Sequence, residues 1–224
     1  MKNDFDHGEM LRRLKELFKV GAFPGKKPES PEVPSSSPYQ VLIATILSQR
    51  TKDANTHRAS KALFSRFPEP EDLAEAPLDE VMELVRPAGF YTVKAQRVKE
   101  VAGIIHREYN DSVPDDLDEL LKLPGVGRKT ANCVLVYGFG IPAIPVDTHV
   151  HRISNRLGIS RADTPEETEK QLVSSMPEEY WIEINRLMVE FGKSICRPRN
   201  PRCDICPLGD MCAYHEEVYC DENR

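Results

Sequence analysis

The sequence predicts an all-α protein, on three observations. Apolar residues recur at helical spacing through most of the 224 residues. No segment alternates with a period of two and β-branched enrichment, as a half-buried strand would. Proline and glycine gather between the periodic runs rather than inside them. No internal repeat is evident at a fixed period.

The elements follow in order. Residues 7–19 place Met10, Leu11, Leu14, Leu17 and Phe18 on one face and read as an amphipathic helix. From Gly21 to Pro38, breakers such as Pro24, Gly25, Pro28, Pro31 and Pro34 mark a crossing between two parts of the fold. Val41, Leu42, Ala44, Thr45, Ile46 and Leu47 are too uniformly apolar for a surface helix and predict a buried central one. Helices are expected over 53–66, 78–86 and 92–109, and a short one from Pro114 through Leu121. A turn at Leu123–Gly127 precedes helices over 128–138, 147–157, 165–176 and 178–193.

Composition narrows the class. With 40% hydrophobic and 29% charged residues the chain is ordinary for a globular protein. It is long enough to bury a core without disulfide staples. No leader-like apolar run and no membrane-length segment occur, so an intracellular protein is expected. Its net charge of −6 argues against diffuse nucleic-acid binding. The charge is unevenly distributed, however. Between Leu121 and Ser160 the basic residues are Lys122, Arg128, Lys129, Arg152 and Arg156, and the single acid is Asp147. An acidic chain with a basic stretch around one hairpin has what contact with a phosphate backbone requires.

That hairpin is Leu123-Pro124-Gly125-Val126-Gly127-Arg128-Lys129-Thr130-Ala131. Gly125 and Gly127 permit positive φ and close backbone approach. A helix N-terminus directly after such a turn offers N–H groups to an anion. A plain helix–helix connector is the competing reading. Lys129 stands in the first turn of the next helix, where the dipole disfavours a protonated amine and partial burial would make it a nucleophile. Asp147, in Ile144-Pro145-Val146-Asp147-Thr148-His149, is a good N-cap. A capping carboxylate can also take a proton or stabilise positive charge. His149 is expected to pack or hydrogen-bond, with DNA contact as the alternative; with His151 it makes a poor metal pair, since i and i+2 do not share a helix face.

Cys196, Cys203, Cys206 and Cys212 are spaced C-x6-C-x2-C-x5-C, with prolines shaping the turns. Four thiolates so close form a strong metal signal, which zinc and a [4Fe–4S] cluster both satisfy. Cys133 is expected in the core and Cys220 as a free thiol. The basic run holding Lys193, Arg197, Arg199 and Arg202 would let a loop fixed by such a site grip phosphates.

Together these elements resemble the endonuclease III family of helix-hairpin-helix DNA glycosylases, over nearly all of Tyr39–Cys212. The hairpin is similar to the family's, with Lys129 as catalytic lysine; Val146-Asp147-Thr148-His149 resembles its catalytic aspartate segment. The cysteine spacing is similar to the family's [4Fe–4S] loop, and this resemblance decides iron–sulfur over zinc. Leu47-Ser48-Gln49-Arg50-Thr51-Lys52-Asp53 resembles the stretch that fills the gap left by an extruded base. Gly89-Phe90-Tyr91, followed by Lys94-Ala95, resembles the loop whose apolar residue wedges into the duplex. This chain has Arg50 where many members have glutamine, and Leu121 where some have glutamate.

The resemblance implies a two-lobed fold: a six-helix barrel over 34–141 carrying the hairpin, and an iron–sulfur domain from 1–33 plus 142–224. Lys129 and Asp147 would face each other across the cleft. Gln49, Arg50, Phe90, Gly125, Val126, Gly127, Arg128, His149, Arg197 and Arg199 would meet double-stranded DNA bearing a damaged base or abasic site. A monomer at the DNA, with no membrane partner, is implied, excising oxidised pyrimidines and cleaving the strand through a lysine Schiff base. A sister glycosylase for mismatched or alkylated bases, and a non-enzymatic DNA-binding module with a four-cysteine metal site, are the alternatives.

Overall fold

A computed structural model describes residues 5–19 and 37–219. The crossing expected over 21–38 falls almost wholly outside the described residues, as does Cys220. Among the described residues there are helices and no strand. The described parts of Met1–Glu32 and Pro142–Arg224 form one compact unit, and those of Val33–Ile141 form the other.

The unit within Val33–Ile141 is built around α2 (Pro38–Ser48), the central helix. Its residues Leu42, Ile43, Ile46 and Leu47 are all but fully buried. Ser37 caps it by accepting the Gln40 N–H at 3.3 Å, with Pro38 in the first turn, where a missing N–H costs nothing. Around α2 lie α3 (Asp53–Arg66), α4 (Pro70–Glu75), α5 (Leu78–Val85), α6 (Tyr91–Tyr109), α7 (Leu117–Lys122) and α8 (Arg128–Val134). Burying these leucine and isoleucine side chains stabilises the unit by roughly 1.5–3 kcal/mol each before entropy is counted.

Three elements of the Val33–Ile141 unit differ from the sequence expectation. The α4 helix was not expected: six residues are too few to show a period. Its signal was Pro70 at the first position with Asp72 two residues on, whose carboxylate accepts the Glu69 N–H at 3.2 Å. The helix expected from Pro114 begins at Leu117, because the Asp116 side chain accepts the N–H groups of Asp118 and Glu119 at 2.9 and 3.0 Å. The helix expected over 128–138 is α-helical only to Val134 and widens into a π-helical turn over Leu135–Phe139. There Gly138 lies against Pro38, where a Cβ would come within 3.0 Å of the proline Cα.

The other unit contains α1 (His7–Lys19), α9 (Thr148–Leu157), α10 (Pro165–Ser175) and α11 (Trp181–Ser194). Met10, Leu11 and Leu14 from α1 pack with Val150, Ile153, Leu172, Ile184, Met188 and Phe191 in one core. The N-terminal helix is thus part of the C-terminal core, and Arg13 fixes it there by donating to the Pro207 carbonyl at 2.9 Å and to Asp210. Gly192 lets α9 approach α11: a Cβ there would meet His149 Nδ1 at 2.3 Å. No described helix is long and apolar enough to cross a membrane.

Candidate functional site

In the Val33–Ile141 unit, the hairpin is anchored by its apolar residues. Leu123 and Val126 are buried, the Leu123 N–H donates to Leu120 and the Val126 N–H to the Leu123 carbonyl. Between them Gly125 has φ +75°, the left-handed region that favours glycine. Gly127 is different from expectation: its φ is −91°, extended backbone that any residue adopts. It caps α8, and a Cβ there would meet nothing within 4 Å, so no contact inside the unit explains the glycine. Arg128 and Lys129 follow in the first turn of α8, both half-buried.

Gln49, Arg50 and Phe90 lie near the same hairpin. Gln49 donates its amide to the Gly125 carbonyl at 3.1 Å and lies 3.4 Å from Thr130 Oγ1. Arg50 and Phe90 are both in the left-handed region, at φ 55° and 58°, uncommon for such residues. The Arg50 guanidinium covers the Phe90 ring, 5.2 Å from its centroid. Phe90 is 62% exposed, which rules out a core aromatic. Thr51 lies in the stretch likened to the gap-filling segment and Lys94 follows the loop likened to the wedge; Lys94 Nζ binds the carbonyls of Leu47 and Gln49 and the Thr51 hydroxyl beneath these two turns. A lysine inside the apolar frame of Val93, Ala95 and Val98 was the available signal.

In the other unit, Asp147 is the N-cap of α9. Its Oδ1 accepts the N–H groups of His149 and Val150 at 2.8 and 2.9 Å, so the second carboxylate oxygen lies outside the cap. The strand-like approach to it is held by Asn185 of α11, which donates to the Pro145 carbonyl at 2.7 Å. His149 is half-buried and accepts from Arg152 at 3.3 Å; burial pushes its pKa below the usual histidine value.

Arg152 and Arg156 do not stand free for phosphates, as the charge count suggested. Arg152 donates to the Cys196 carbonyl at 2.8 Å. Arg156 donates to the carbonyls of Arg197 and Pro198 at 2.6 and 3.1 Å, reaches Cys196 Sγ at 3.4 Å, and covers the Tyr214 ring. Arg197 and Arg199 themselves are exposed.

Cys196, Cys203, Cys206 and Cys212 line one cavity together with Arg156, and none is in a disulfide. Cys133 is buried in α8 of the Val33–Ile141 unit.

Residues 43–178 match the HhH-GPD superfamily of base excision DNA repair proteins. Residues 196–212 match the iron–sulfur binding domain of endonuclease III. The chain is similar to endonuclease III of Thermotoga maritima, 52% identical over 180 residues, covering 80% of this chain and 84% of that one. It is similar to endonuclease III of Bacillus subtilis, 42% identical over 182 residues, covering 81% and 83%. The chain belongs to the endonuclease III family.

Among solved structures, the chain resembles a non-covalent endonuclease III–DNA complex with TM-score 0.80 and 37% identity, covering 95% of this chain and 98% of that one. It also resembles a trapped endonuclease III–DNA covalent intermediate, with TM-score 0.79 and 36% identity over 97% and 98%. As an endonuclease III family member the chain carries a [4Fe–4S] cluster in the 196–212 segment. The donor set fits: four soft sulfur atoms surround one cavity. As free thiols Cys203, Cys206 and Cys212 would hold their protons, since burial pushes Cys206 up to about 12 and also raises the other two. A cationic iron core reverses that preference, because a coordinating thiol is deprotonated outright. Backbone N–H groups of Leu208 toward Cys206, and of Tyr214 and His215 toward Cys212, already favour the thiolates.

Proposed function

We propose that this chain is a bifunctional DNA glycosylase and AP lyase of base excision repair. It acts as a monomer on double-stranded DNA carrying an oxidised pyrimidine, thymine glycol first among them, or an abasic site. The observation that carries this reading is Lys129: a half-buried lysine in the first turn after the hairpin, within the segment that matches the superfamily.

The roles follow from chemistry. The hairpin from Gly125 to Arg128 holds a backbone phosphate, and the open space at the Gly127 α-carbon suits close approach. Phe90 and either Gln49 or Arg50 enter the duplex as the damaged nucleotide leaves it; a poorly paired base costs less to extrude. Lys129, deprotonated with help from Asp147, attacks C1′; the C1′–N bond breaks and the base departs. The sugar ring then opens as the C1′–O4′ bond breaks and O4′ takes a proton, leaving a C1′=N Schiff base that acidifies the C2′ proton. Its loss drives β-elimination, which breaks the strand on the 3′ side of the lesion. Asp147, with one oxygen outside its cap, also stabilises positive charge on the sugar. Cys196, Cys203, Cys206 and Cys212 hold the cluster, which fixes the loop presenting Arg197 and Arg199 to phosphates. His149 supports α9 beside the DNA. The barrel role belongs to 34–141 and the cluster role to 1–33 with 142–224, in a protein working where the cell keeps its DNA.

Borohydride trapping tests this. Incubation with duplex containing thymine glycol or an abasic site, then reduction, is expected to give a covalent protein–DNA adduct that Lys129→Ala does not form. An intact, cluster-loaded, DNA-binding preparation that forms no adduct would sink the lyase mechanism.

A further inference from the structure

Lys94 is 7% exposed. Lysine is rarely so buried without partners for its ammonium. Its Nζ has three: the Leu47 carbonyl at 2.7 Å, the Gln49 carbonyl at 2.6 Å and Thr51 Oγ1 at 2.6 Å. Leu47 is in the last turn of α2 and Gln49 is its C-cap, so the cation sits where a helix leaves carbonyls without intrahelical donors and its dipole is negative. Burial alone lowers the pKa of this lysine; charge-assisted hydrogen bonds to three oxygens hold the charged form.

Thr51 extends the link to a second turn. The hydroxyl oxygen that meets Lys94 also accepts the Gly89 N–H at 3.2 Å. The two turns touch closely: a Cβ on Gly89 would lie 3.2 Å from the Arg50 carbonyl. Each turn carries one left-handed residue, Arg50 and Phe90, and their side chains stack. Such conformations persist only where the surroundings over-determine them.

We propose that Lys94 is a positioning residue that locks the Gln49–Thr51 and Gly89–Phe90 turns into one rigid unit, so that Phe90 and either Gln49 or Arg50 enter the duplex together. The assignment rests on the reading that this protein extrudes a nucleotide from duplex DNA.

The test uses the full, cluster-loaded chain with Lys94→Met, which keeps the apolar stem and removes the donors. Single-turnover cleavage is measured at one abasic site, in duplex and in the same oligonucleotide single-stranded, where no partner strand leaves a gap to fill. The duplex rate is expected to fall about 10²-fold, the scale of a misplaced catalytic geometry, while the single-stranded rate stays near the parent's. Lys94→Arg, which retains donors, should restore most of the duplex rate, and Thr51→Val should show the same selective loss in weaker form. Amide exchange in the DNA-free protein checks the coupling without catalysis: in Lys94→Met the 49–51 and 89–90 segments should open together while the interiors of α2 and α6 stay protected. Equal losses on both DNA forms, or opening of one segment alone, would overturn the assignment. A parent protein no faster than Lys129→Ala on either DNA would overturn the base-excision reading itself, and this assignment with it.

Discussion

Asp147 is given two duties that two substitutions separate. As N-cap of α9 its Oδ1 accepts two backbone N–H groups, at 2.8 and 2.9 Å. Replacing an N-cap by alanine costs about 0.5–2 kcal/mol. Removing a negative charge from a helix N-terminus costs a further ~0.3–1 kcal/mol. Asp147→Ala should therefore lose about 1–3 kcal/mol, which for a domain of this size lowers the melting temperature by roughly 2–4 °C per kcal/mol. Asp147→Asn keeps an acceptor oxygen and loses only the charge, so its loss should stay within about 1 kcal/mol. Under the proposed role catalysis should not make that distinction: both variants lose the carboxylate proposed to handle the proton, worth about 10²–10⁴-fold in single-turnover base excision. The assay pairs thermal melting of the cluster-loaded proteins with excision of thymine glycol from duplex. If Asn and Ala melt alike at the parent temperature, the cap contributes nothing. If Asn excises at the parent rate, the carboxylate charge is not needed and the proposed role of Asp147 is wrong.

Two further outcomes follow from the unit that holds the cysteines. Arg156→Met removes the donors to Arg197 and Pro198 carbonyls and the contact with Cys196 Sγ, so the iron–sulfur absorbance should bleach faster in air than in the parent protein; an unchanged bleaching rate would show that the loop does not depend on this arginine. Stability should also fall on mild acidification. Burial lowers the pKa of His7 and of His149 from 6.5, so the unfolded chain takes up their protons first. Their contribution is complete above 6.5 and is lost as pH falls through the lower folded values. Glu9, held at about 2 by Arg12 and Arg13, begins to lose its contribution only below its unfolded value of 4.5. Melting between those two limits therefore reads the histidines, and His7→Phe should flatten the slope; a flat profile in the parent would contradict their burial.

Much of this was legible in the sequence because the signals were local. The C-x6-C-x2-C-x5-C spacing, the L-P-G-V-G turn and the capping position of Asp147 each depend on neighbours within a few residues, and the helix over 53–66 appears with the bounds its periodicity gave. What stayed hidden depends on partners far along the chain. The charge count could not tell that Arg152 and Arg156 would turn inward, because Cys196 to Pro198 come some forty residues later. What Lys94 binds could not be read locally, since its acceptors lie over forty residues earlier. Gly127 departs only in its backbone: a glycine can serve left-handed backbone or space for something outside the chain, and only a dihedral angle separates the two.

The inward arginines bear on what a metal cluster does for the unit that holds it. The α9 helix begins at Asp147 and, one and two turns later, presents Arg152 and Arg156 to the cysteine loop. Cys212 closes the same connection from the other side, its Sγ 3.3 Å from the Arg156 carbonyl. A loop of tight turns with almost no regular hydrogen-bond ladder cannot order itself through burial alone. A cluster held by four side chains supplies that order, since metal-binding energy becomes folding energy. Its rigidity then reaches Asp147 through a helix rather than through a flexible segment. On this argument, stripping the iron should weaken the positioning of Asp147 as well as the phosphate grip of Arg197 and Arg199. The apoprotein should accordingly lose single-turnover excision even at DNA concentrations that saturate binding; excision that recovers fully once binding is saturated would confine the cluster to DNA affinity.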